Sequence, residues 1–573
     1  MASIFSTFNT AKSGLTVHQS GINVTSHNIA NSSTVGYSRQ RAKIQTSRPI
    51  TLGAEAGQVG TGAQISAIER VRDSFLDYQV RVETAELGKY STKLDYLSQV
   101  EGIFNEPSDT GISTALSDFF DAFQELSKQS TSSSTRVVVT QKTKTLCDLL
   151  NNTYSKLEKL QENSVESLKN SVKEVNSILE QLTTVNNQIR IASITGDNPN
   201  DLMDSRDNLL DELSSKFGID VDKTQFNGND ITATGIGANL NPLVNSEPNG
   251  EVTRLSFISE IKANNDGTHT ISYFVNGDTE KPKTITVSGL AATEVDTLKK
   301  TRILLTDGNG EMLDGQGNIV KDGGTIANPI EKFIPKSGEI AGAIEVQDSI
   351  GSYMNQLDKM AKGLALSVNA IHSGSMDSNI KDTTKTLDFF VASDGKDEAG
   401  ISAKNISINA LILENPSFIN TKENADAGEG DGSRALAIAQ LQSTLISISK
   451  IDSTTTRAQL CKFTNGSTMS LVNDVASGTK VESYFQDVVD KLGVEAQHAK
   501  RVVSNEEDLL NSLDISRLSV SGVSLDEEMT NLIQYQKAYS ANAKTITTVS
   551  DMLDIILGEK LWELQIKRWA QRI

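Results

Sequence analysis

The chain is poor in cysteine, aromatic residues and long apolar runs, and each shortage excludes a class of protein. Its 573 residues include two cysteines, Cys147 and Cys461, too few and too far apart for a disulfide framework. Aromatic residues make up 5%, and no run of about 18 apolar residues suggests a transmembrane helix. The N-terminus shows no basic region followed by an apolar one, as a Sec-type signal peptide requires. We therefore expect no stable membrane insertion and, if the protein is exported, a route that needs neither signal.

The patterns of common catalytic and metal sites are also missing. The five histidines lie on separate segments without metal-ligand spacing, and no GxSxG motif marks an exposed nucleophile. DGNGEMLDGQGN, at 307–318, superficially resembles a calcium loop. It lacks the glycine and the final acidic residue that such a loop needs, and its Asp-Gly pairs favour tight turns. The sequence therefore predicts no enzymatic activity, no metal and no cofactor.

The charge balance excludes one further class of partner. The net charge is −19, whereas binding a nucleic-acid backbone requires a basic face. Hydrophobic residues make up 37%, enough to bury real cores. At this length we expect three or more packed units and no nucleic-acid partner.

Heptad patterns occupy both ends of the chain, at alternating steps of four and three. The N-terminal stripe, with His18 and Thr25 as its polar members, consists of Ile4, Phe8, Ala11, Leu15, Ile22 and Ile29. The C-terminal stripe, with Gln536 and Ser550 as its polar members, consists of Leu525, Met529, Leu532, Tyr539, Ala543, Ile546, Leu553 and Leu557. Because so narrow a stripe does not stabilise a lone helix, the ends pair with each other or with neighbouring subunits. Ordinary core helices of a globular domain are an equally good interpretation of the periodicity alone.

Helical and strand patterns alternate in blocks between these ends. Helical periodicity appears at 112–128, 148–190, 202–217, 357–371, 434–450 and 481–513. Short alternating runs with Asn-Gly and Asp-Gly turns fill 218–336, and a smaller β-like patch lies near 376–425. The predicted fold is mainly α, with an elongated coiled-coil or helical-bundle shaft formed by the terminal segments and an outward, inserted β domain.

The same blocks set the expected domain boundaries. Segments 1–55 and 515–557 form the two halves of an inner coiled-coil domain. Segments 56–217 and 337–514 form the halves of a helical bundle, interrupted by the β domain at 218–336. The segment 558–573 is an atypical tail that contains both tryptophans, and it is either an extra amphipathic turn or a disordered extension.

One stretch carries more than periodicity. NIANSSTVGYSRQ, from Asn28 to Gln40, resembles the signature of bacterial flagellar rod, hook and hook-associated axial proteins. Its GYSRQ ending is similar to that of the hook-associated protein 1 family, the hook–filament junction proteins. The stretches 200–214, 338–377 and 522–557 resemble the same family in the same order.

The residue types of the signature have physical roles. Asn28 and Asn31 are good capping residues, so they end the first helix. Gly36 allows a tight turn, and Tyr37 can bury its ring while its hydroxyl stays bonded. Arg39 is either solvated or paired with a carboxylate on an adjacent subunit.

The resemblance implies a structural subunit of the bacterial flagellum that joins hook to filament as a ring of its own copies. It implies secretion through the flagellar type III export apparatus, an extracellular location and a role in flagellum assembly and motility. Implied partners are the flagellar hook protein, the second hook–filament junction protein and a dedicated export chaperone (FlgN-like) on the C-terminal stripe. The alternatives are another axial protein, such as the second junction protein or a flagellin-like protein, and a type III-secreted membrane-active effector. Against the effector, Asp526, Glu527 and Glu528 place acidic charge where basic residues would be expected.

Overall fold

The protein's structure, a computed structural model, describes residues 2–51, 58–237, 239–376, 387–464 and 466–570. In these residues the α-helices are α1 Ala2–Ala30, α2 Ser74–Phe104, α3 Ile112–Lys128, α4 Ser133–Ile194, α5 Asn200–Lys216, α6 Ala292–Thr301, α7 Glu339–Ser373, α8 Ala410–Glu414, α9 Ser433–Gln440, α10 Arg457–Leu460, α11 Val481–Ser521 and α12 Leu525–Ala570. The strands are β1 Gln40–Thr46, β2 Ile50–Thr51, β3 Gln58–Val59, β4 Ala63–Arg70, β5 Ile219–Lys223, β6 Asn229–Ala233, β7 Thr253–Ala263, β8 His269–Phe274, β9 Pro282–Val287, β10 Ile303–Asp307, β11 Phe390–Ala392 and β12 Ile406–Ile408.

Long helices from the two ends of the chain pack together. Helix α1 lies along α12, and α11, which precedes α12, lies along α2. Between these ends, α2, α3, α4 and α7 form a bundle, and a β-containing insertion separates α5 from α7. This arrangement confirms the predicted fold class: mainly α, with a shaft of terminal helices and an inserted β domain.

The core of the bundle is rich in aromatic rings, although the chain as a whole is not. Helix α3 has the bounds that the sequence predicts, and its apolar face buries Phe119, Phe120 and Phe123. The rings of Phe119 and Phe123 meet those of Phe389 and Phe390 edge-on or tilted, with centroids 5.4–6.4 Å apart. Such geometry is favoured by the ring quadrupoles, and it fixes the segment around β11 on the bundle.

The β insertion packs on the second half of α4. Its main sheet is antiparallel with strand order β10-β7-β8-β9. Buried side chains of β7 and β10, including Leu255 and Ile303, share a core with Leu179 of α4. The side chain of Asn176 on α4 donates to the Leu255 carbonyl at 2.8 Å, which ties the sheet to the helix. Helix α6 packs beside β7 and contributes Leu298 to the core on the other face.

Several predicted elements differ from the structure. The helical pattern at 434–450 gives only α9, because the chain turns after Gln440 so that Ile446 can form a bridge with Thr479. The β-like patch is a three-residue pair of β11 and β12, and Asn409 then caps α8. Helices α2 and α6 and the β1–β4 hairpin have no counterpart among the predicted patterns. None of the described helices is long and apolar enough to cross a membrane.

Candidate functional site

The N-terminal stripe lies beside the contact between α1 and α12, not at its centre. Ala11 is buried, and the other predicted members are half-buried: Ile4, Phe8, Leu15, Ile22 and Ile29. Glycines occupy the closest approach. A Cβ on Gly14 would lie 2.7 Å from Oδ1 of Asn542, and one on Gly21 would lie 3.0 Å from the ring of Tyr535. Small residues thus allow α12 to approach α1 closely, and the larger apolar side chains flank the contact.

The face of α12 that meets α1 is offset by one position from the predicted C-terminal stripe. Glu528, Tyr535, Asn542 and Val549 recur every seven residues along this face, and Glu528 and Val549 are buried. Half of the predicted stripe is exposed: Leu525 50%, Met529 49%, Tyr539 36% and Leu557 56%. The other half is partly covered: Leu532, Ala543, Ile546 and Leu553. An offset of one residue is about 100° around a helix, so the predicted stripe borders the contact and remains open on one side.

Asn28 connects three segments at the end of α1. Its side-chain nitrogen donates to the Gln40 carbonyl at 2.9 Å and to Glu528 Oε2 at 3.1 Å. Its side-chain oxygen accepts from the Gln40 amide at 2.9 Å and from the Tyr37 hydroxyl at 2.8 Å. Asn28 is 1% exposed and its bond to Glu528 is buried, where a hydrogen bond is stronger than in water. The first residue of the signature therefore joins α1, β1 and α12.

The turn after α1 depends on the next signature residues. Asn31 donates its side-chain amide to the His27 carbonyl at 3.0 Å, which closes the last turn of the helix. Gly36 has φ +76°, and a Cβ there would lie 1.8 Å from Oδ1 of Asn208 on α5. The Tyr37 hydroxyl lies 3.0 Å from Nδ1 of His27. Burial and nearby carboxylates raise the pKa of Tyr37 well above its usual range, so the hydroxyl remains a donor.

Arg39 pairs within its own chain. Its guanidinium donates to Glu527 Oε2 at 2.7 Å, and its amide donates to the Ser521 carbonyl at 2.8 Å. Neither sequence interpretation, a solvated charge or a carboxylate of an adjacent subunit, included this pairing within the chain, and a contact of Arg39 with an adjacent subunit stays a prediction. The carboxylate comes from the first turn of α12, which the fold brings beside the signature.

Helix α5 presents three aspartates on one face. Asp204, Asp207 and Asp211 are spaced by three and four residues, so their side chains share that face. Asp204 accepts from the amide of Ser38 at 2.9 Å and from its hydroxyl at 2.8 Å. Arg70, at the end of β4, also donates to Asp204 at 2.8 Å. The signature turn and the β1–β4 hairpin are thereby bound to one carboxylate.

The other two aspartates bind further arginines. Asp207 lies 2.6 Å from the Arg70 guanidinium and 3.1 Å from that of Arg81. Asp211 accepts from Arg81 at 2.7 Å and from Arg517 of α11 at 2.9 Å. Burial would raise the pKa of Asp207, but the surrounding guanidinium groups lower it to about 2. This carboxylate ladder of Asp204, Asp207 and Asp211 therefore joins the hairpin, α2 and α11 to α5.

We call the region where the signature turn, the β1–β4 hairpin, α5 and the first turn of α12 meet the joint. The β1–β4 hairpin is the part of this joint that the sequence analysis missed. Gln40 pairs with Arg70 at one end and Thr46 with Ala63 at the other. The Ala63 amide donates to the Ser13 hydroxyl at 3.2 Å, so the hairpin also packs along α1. The alternating strings QRAKIQT and AQISAIER were a usable signal, since a period of two is typical of strands.

The tail is described only in part. Trp562 is 68% exposed and Ile566 is 47% exposed on the last turns of α12. The side chains of Trp569 and Ile573, which the amphipathic interpretation needs, lie outside the described residues. The described part of the tail forms the last turns of α12, and both interpretations of its role stay predictions.

Family models match three parts of the chain, and two of these parts contain most of α1 and of α12. The model described as flagella basal body rod protein matches residues 8–37, which contain most of α1 and the signature. The model for the flagellar hook-associated protein FlgK helical domain matches residues 97–307. The model for the flagellar basal body rod FlgEFG protein C-terminal region matches residues 516–559, so it ends where the atypical tail begins.

Full-length relatives and a solved structure agree with these matches. Flagellar hook-associated protein 1 of Salmonella typhimurium (strain LT2) is 24% identical over 583 residues, covering 96% of this chain and 99% of that protein. The flagellar hook junction protein FlgK from Burkholderia pseudomallei has a similar fold, with a TM-score of 0.50 at 13% identity, covering 78% of this chain and 100% of that chain. Flagellar hook-associated protein 1 of Bacillus subtilis (strain 168) is 31% identical over 568 residues, covering 97% of this chain and 99% of that protein. The chain therefore belongs to the flagellar hook-associated protein 1 family.

Proposed function

We propose that this protein is a structural subunit of the bacterial flagellum that joins the hook to the filament as a ring of its own copies. The observation that carries the proposal is the one-sided contact between α1 and α12. These helices meet through one heptad face and leave a second apolar stripe open beside it. A stripe of this kind is suited to the terminal helices of neighbouring subunits.

The joint supports a structural role because its contacts hold the terminal helices in a fixed position relative to the bundle. Asn28 and Arg39 tie α1 and the signature turn to the first turn of α12. The carboxylate ladder ties the same turn to α5, α2 and α11. These charged groups are mutually paired, so they act as connections between elements. A subunit that carries torque between two tubular parts needs such connections.

The implied partners follow from the exposed stripe. Before assembly, the apolar residues of α12 would be open to water, which favours a dedicated export chaperone of the FlgN type on this segment. Passage through the flagellar type III export apparatus would then place the protein outside the cell. There the hook protein and the second junction protein would be its neighbours in the axial structure.

The alternatives fit these observations less well. The full-length relatives carry the name flagellar hook-associated protein 1, which favours the junction role over a second junction protein or a flagellin-like role. A membrane-active effector would carry basic residues around an apolar helix face, whereas α12 begins with Asp526, Glu527 and Glu528.

Deletion of the gene followed by complementation tests the proposal. We expect the deletion to leave hooks in place, to remove filaments and to release flagellin into the medium. Complementation with the unmodified chain should restore filaments. Filaments that persist in the deletion strain would overturn the junction role.

A matched pair of variants tests the exposed stripe itself. Met529 and Met552 are 49% and 50% exposed, and at about 100° per residue they lie about 140° apart around α12. Met529→Asp should abolish filament assembly, because it places a charge in the stripe. Met552→Asp should leave assembly largely intact. Equal effects of the two substitutions would contradict the role of this stripe.

A further inference from the structure

The last turns of α12 extend beyond the helix that covers the rest of it. In the contact between the two helices, Asn28 lies beside Glu528 and Gly14 lies beside Asn542, so fourteen positions back along α1 match fourteen positions forward along α12. In this register the first residue of α1 lies opposite about position 554 of α12. The remaining part of α12, 555–570, is about 24 Å long and has no residue of α1 beside it. We call this part the overhang.

One side of the overhang is an exposed apolar face. Its members are Ile555, Trp562 and Ile566, which are 63%, 68% and 47% exposed. At about 100° per residue they fall within about 40° of one another around the helix, and about 140° separates Trp562 from Val549, which is buried on the side that meets α1. On the opposite side, Leu557 and Leu564 continue the open stripe. The face of Trp562 is therefore separate from both the contact with α1 and that stripe.

Exposed basic residues flank this face. Lys567 and Arg568 lie about 140° and 120° from Trp562, on its two sides. Neither takes part in an ion pair with another residue that the structure describes. The tail, 558–573, has four basic and two acidic side chains, whereas the whole chain carries a net charge of −19. The overhang is thus a local basic exception that favours an anionic partner.

The combination of tryptophan and flanking basic residues suits a lipid surface. A helix with an apolar face and basic residues beside it lies in the plane of a bilayer interface, where anionic headgroups attract the basic side chains. Tryptophan is enriched at this depth because its ring is apolar and its N–H can stay bonded. The first turn of α12 is acidic, but it lies about 60 Å from Lys567, far beyond the Debye length of about 10 Å at 0.1 M salt. It therefore does not repel the overhang from an anionic surface.

We propose that the overhang binds the surface of an anionic lipid bilayer. Trp562 and Ile566 lie between the headgroups and the acyl chains, and Lys567 and Arg568 lie beside the lipid phosphates. The contact stays at the surface and does not span the bilayer. The rod-protein family model ends at residue 559, so most of the overhang lies outside the segment that this model matches. The inference goes beyond the proposed function, because the contact needs no neighbouring subunit.

Tryptophan fluorescence tests the contact in the unmodified full chain. Trp562 and Trp569 are the two tryptophans of the sequence, so the emission reports the end of α12 alone. Vesicles of phosphatidylcholine that also contain phosphatidylglycerol should shift the emission to shorter wavelength, and the chain should sediment with them. Vesicles of phosphatidylcholine alone should have little effect. Raising the salt to about 1 M should release the chain, since the Debye length then falls to about 3 Å.

A matched pair of double variants separates the overhang from the rest of α12. Lys567→Glu with Arg568→Glu reverses two charges in the overhang and should weaken binding to the anionic vesicles at least about tenfold. Lys537→Glu with Lys544→Glu makes the same change of charge at exposed sites in the part of α12 that lies along α1. This control should leave binding nearly unchanged. Circular dichroism should show equal helix content in the two variants, because all four sites are exposed.

Three outcomes would overturn the inference. They are an unchanged emission with anionic vesicles, an equal loss of binding in the two double variants, and an emission that shifts with protein concentration but not with vesicles. The last outcome would assign the apolar face to a contact between protein molecules. Filament formation after complementation measures the proposed function separately, so its failure and the failure of vesicle binding are distinguishable.

Discussion

The side-chain amide of Asn28 donates to the carboxylate of Glu528 at 3.1 Å, across 500 positions of the chain. Both residues are almost completely buried, at 1% and 4% exposure. A buried amide that binds a buried carboxylate fixes the axial register of the two helices that meet there, because a shift by one turn would leave both groups unpaired. The axial register of α1 against α12 is therefore set at the signature. This register determines which residues of the two apolar stripes lie beside each other.

Replacing Asn28 should loosen this end of the helix pair. Asn28→Ala removes the partners of Glu528, of the Gln40 backbone and of the Tyr37 hydroxyl. We expect a local loss of about 2 kcal/mol, because buried polar groups are left unsatisfied. Amide exchange in residues 525–535 should accelerate about thirtyfold. Asn23→Ala, at an exposed site of α1, should have no such effect, and equal exchange in the two variants would contradict the role of Asn28.

Gly36 should tolerate no side chain, for two separable reasons. Its φ is +76°, which strains other residues, and a Cβ would also overlap Asn208. Gly196 has φ +91° with nothing within 4 Å of its Cβ position, so it isolates the strain alone. Gly196→Ala should cost about 1 kcal/mol, and Gly36→Ala should cost more, about 3 kcal/mol. Unfolding free energies of the two variants measure the difference, and similar values would show that the overlap is relieved without cost.

The terminal helices should be the least protected part of an isolated subunit. Along Leu532–Ile546, α12 is covered by α1 on one face, whereas almost every residue of α7 from Met360 to Ser373 is buried. Amides of Leu532–Ile546 should exchange at least about a hundredfold faster than those of α7, since a helix covered on one side opens locally. Equal protection would show that the pair of α1 and α12 is stable without neighbouring subunits.

Acid should weaken the carboxylate ladder at low pH. The guanidinium groups lower the pKa of Asp207 to about 2 from an ordinary value of 3.8. A lowered acid pKa contributes stability that is present above pH 4 and is lost as the pH falls towards 2. The contribution is about 2 kcal/mol. The unfolding free energy should fall less steeply over this range in Asp207→Asn than in the unmodified protein. An unchanged slope would contradict the assignment.

His372 should make the bundle sensitive to milder acid. It is buried; its Nε2 accepts from the Asn420 amide at 2.9 Å, so the hydrogen is on Nδ1, which donates to the Leu387 carbonyl at 2.8 Å. Burial, together with nearby arginines, lowers the pKa of His372 from 6.5 to about 4. The unfolded chain therefore takes up a proton first, and stability decreases by about 3 kcal/mol as the pH falls from about 6.5 to 4. His372→Gln should remove most of this decrease in denaturation experiments, and an unaltered decrease would assign it to other groups.

Much of the fold could be predicted from periodicity and turn residues. Helix α3 appears with its predicted bounds because its apolar face is wide and Gly111 precedes it. The sheet of β7 to β10 was visible in alternating runs between tight turns. One failed prediction was the segment after Gln440, where hydrogen bonds to distant residues outweigh local helical preference. The long helix α2 was also not among the predicted helical patterns.

The candidate site was predictable in its residues but not in its contacts. Asn28, Gly36 and Tyr37 could be singled out because their side chains suit caps, turns and half-buried positions. The partner of Arg39 could not be known, since Glu527 lies 488 positions away. The three aspartates of α5 could be placed on one helix face by their spacing, but the arginines that bind them come from β4, α2 and α11.

By itself, the sequence determined that both ends are amphipathic helices and that an unusual turn follows the first. Local rules suffice for this, because spacing, capping and backbone preference act within a few residues. The tertiary structure decided which face of α12 meets α1, one position away from the predicted stripe, and which charges meet across the joint. A stripe of period 3.5 specifies a direction on a helix only to within about one residue. Close packing at Gly14 and Gly21 and the buried pair of Asn28 and Glu528 select among the remaining registers.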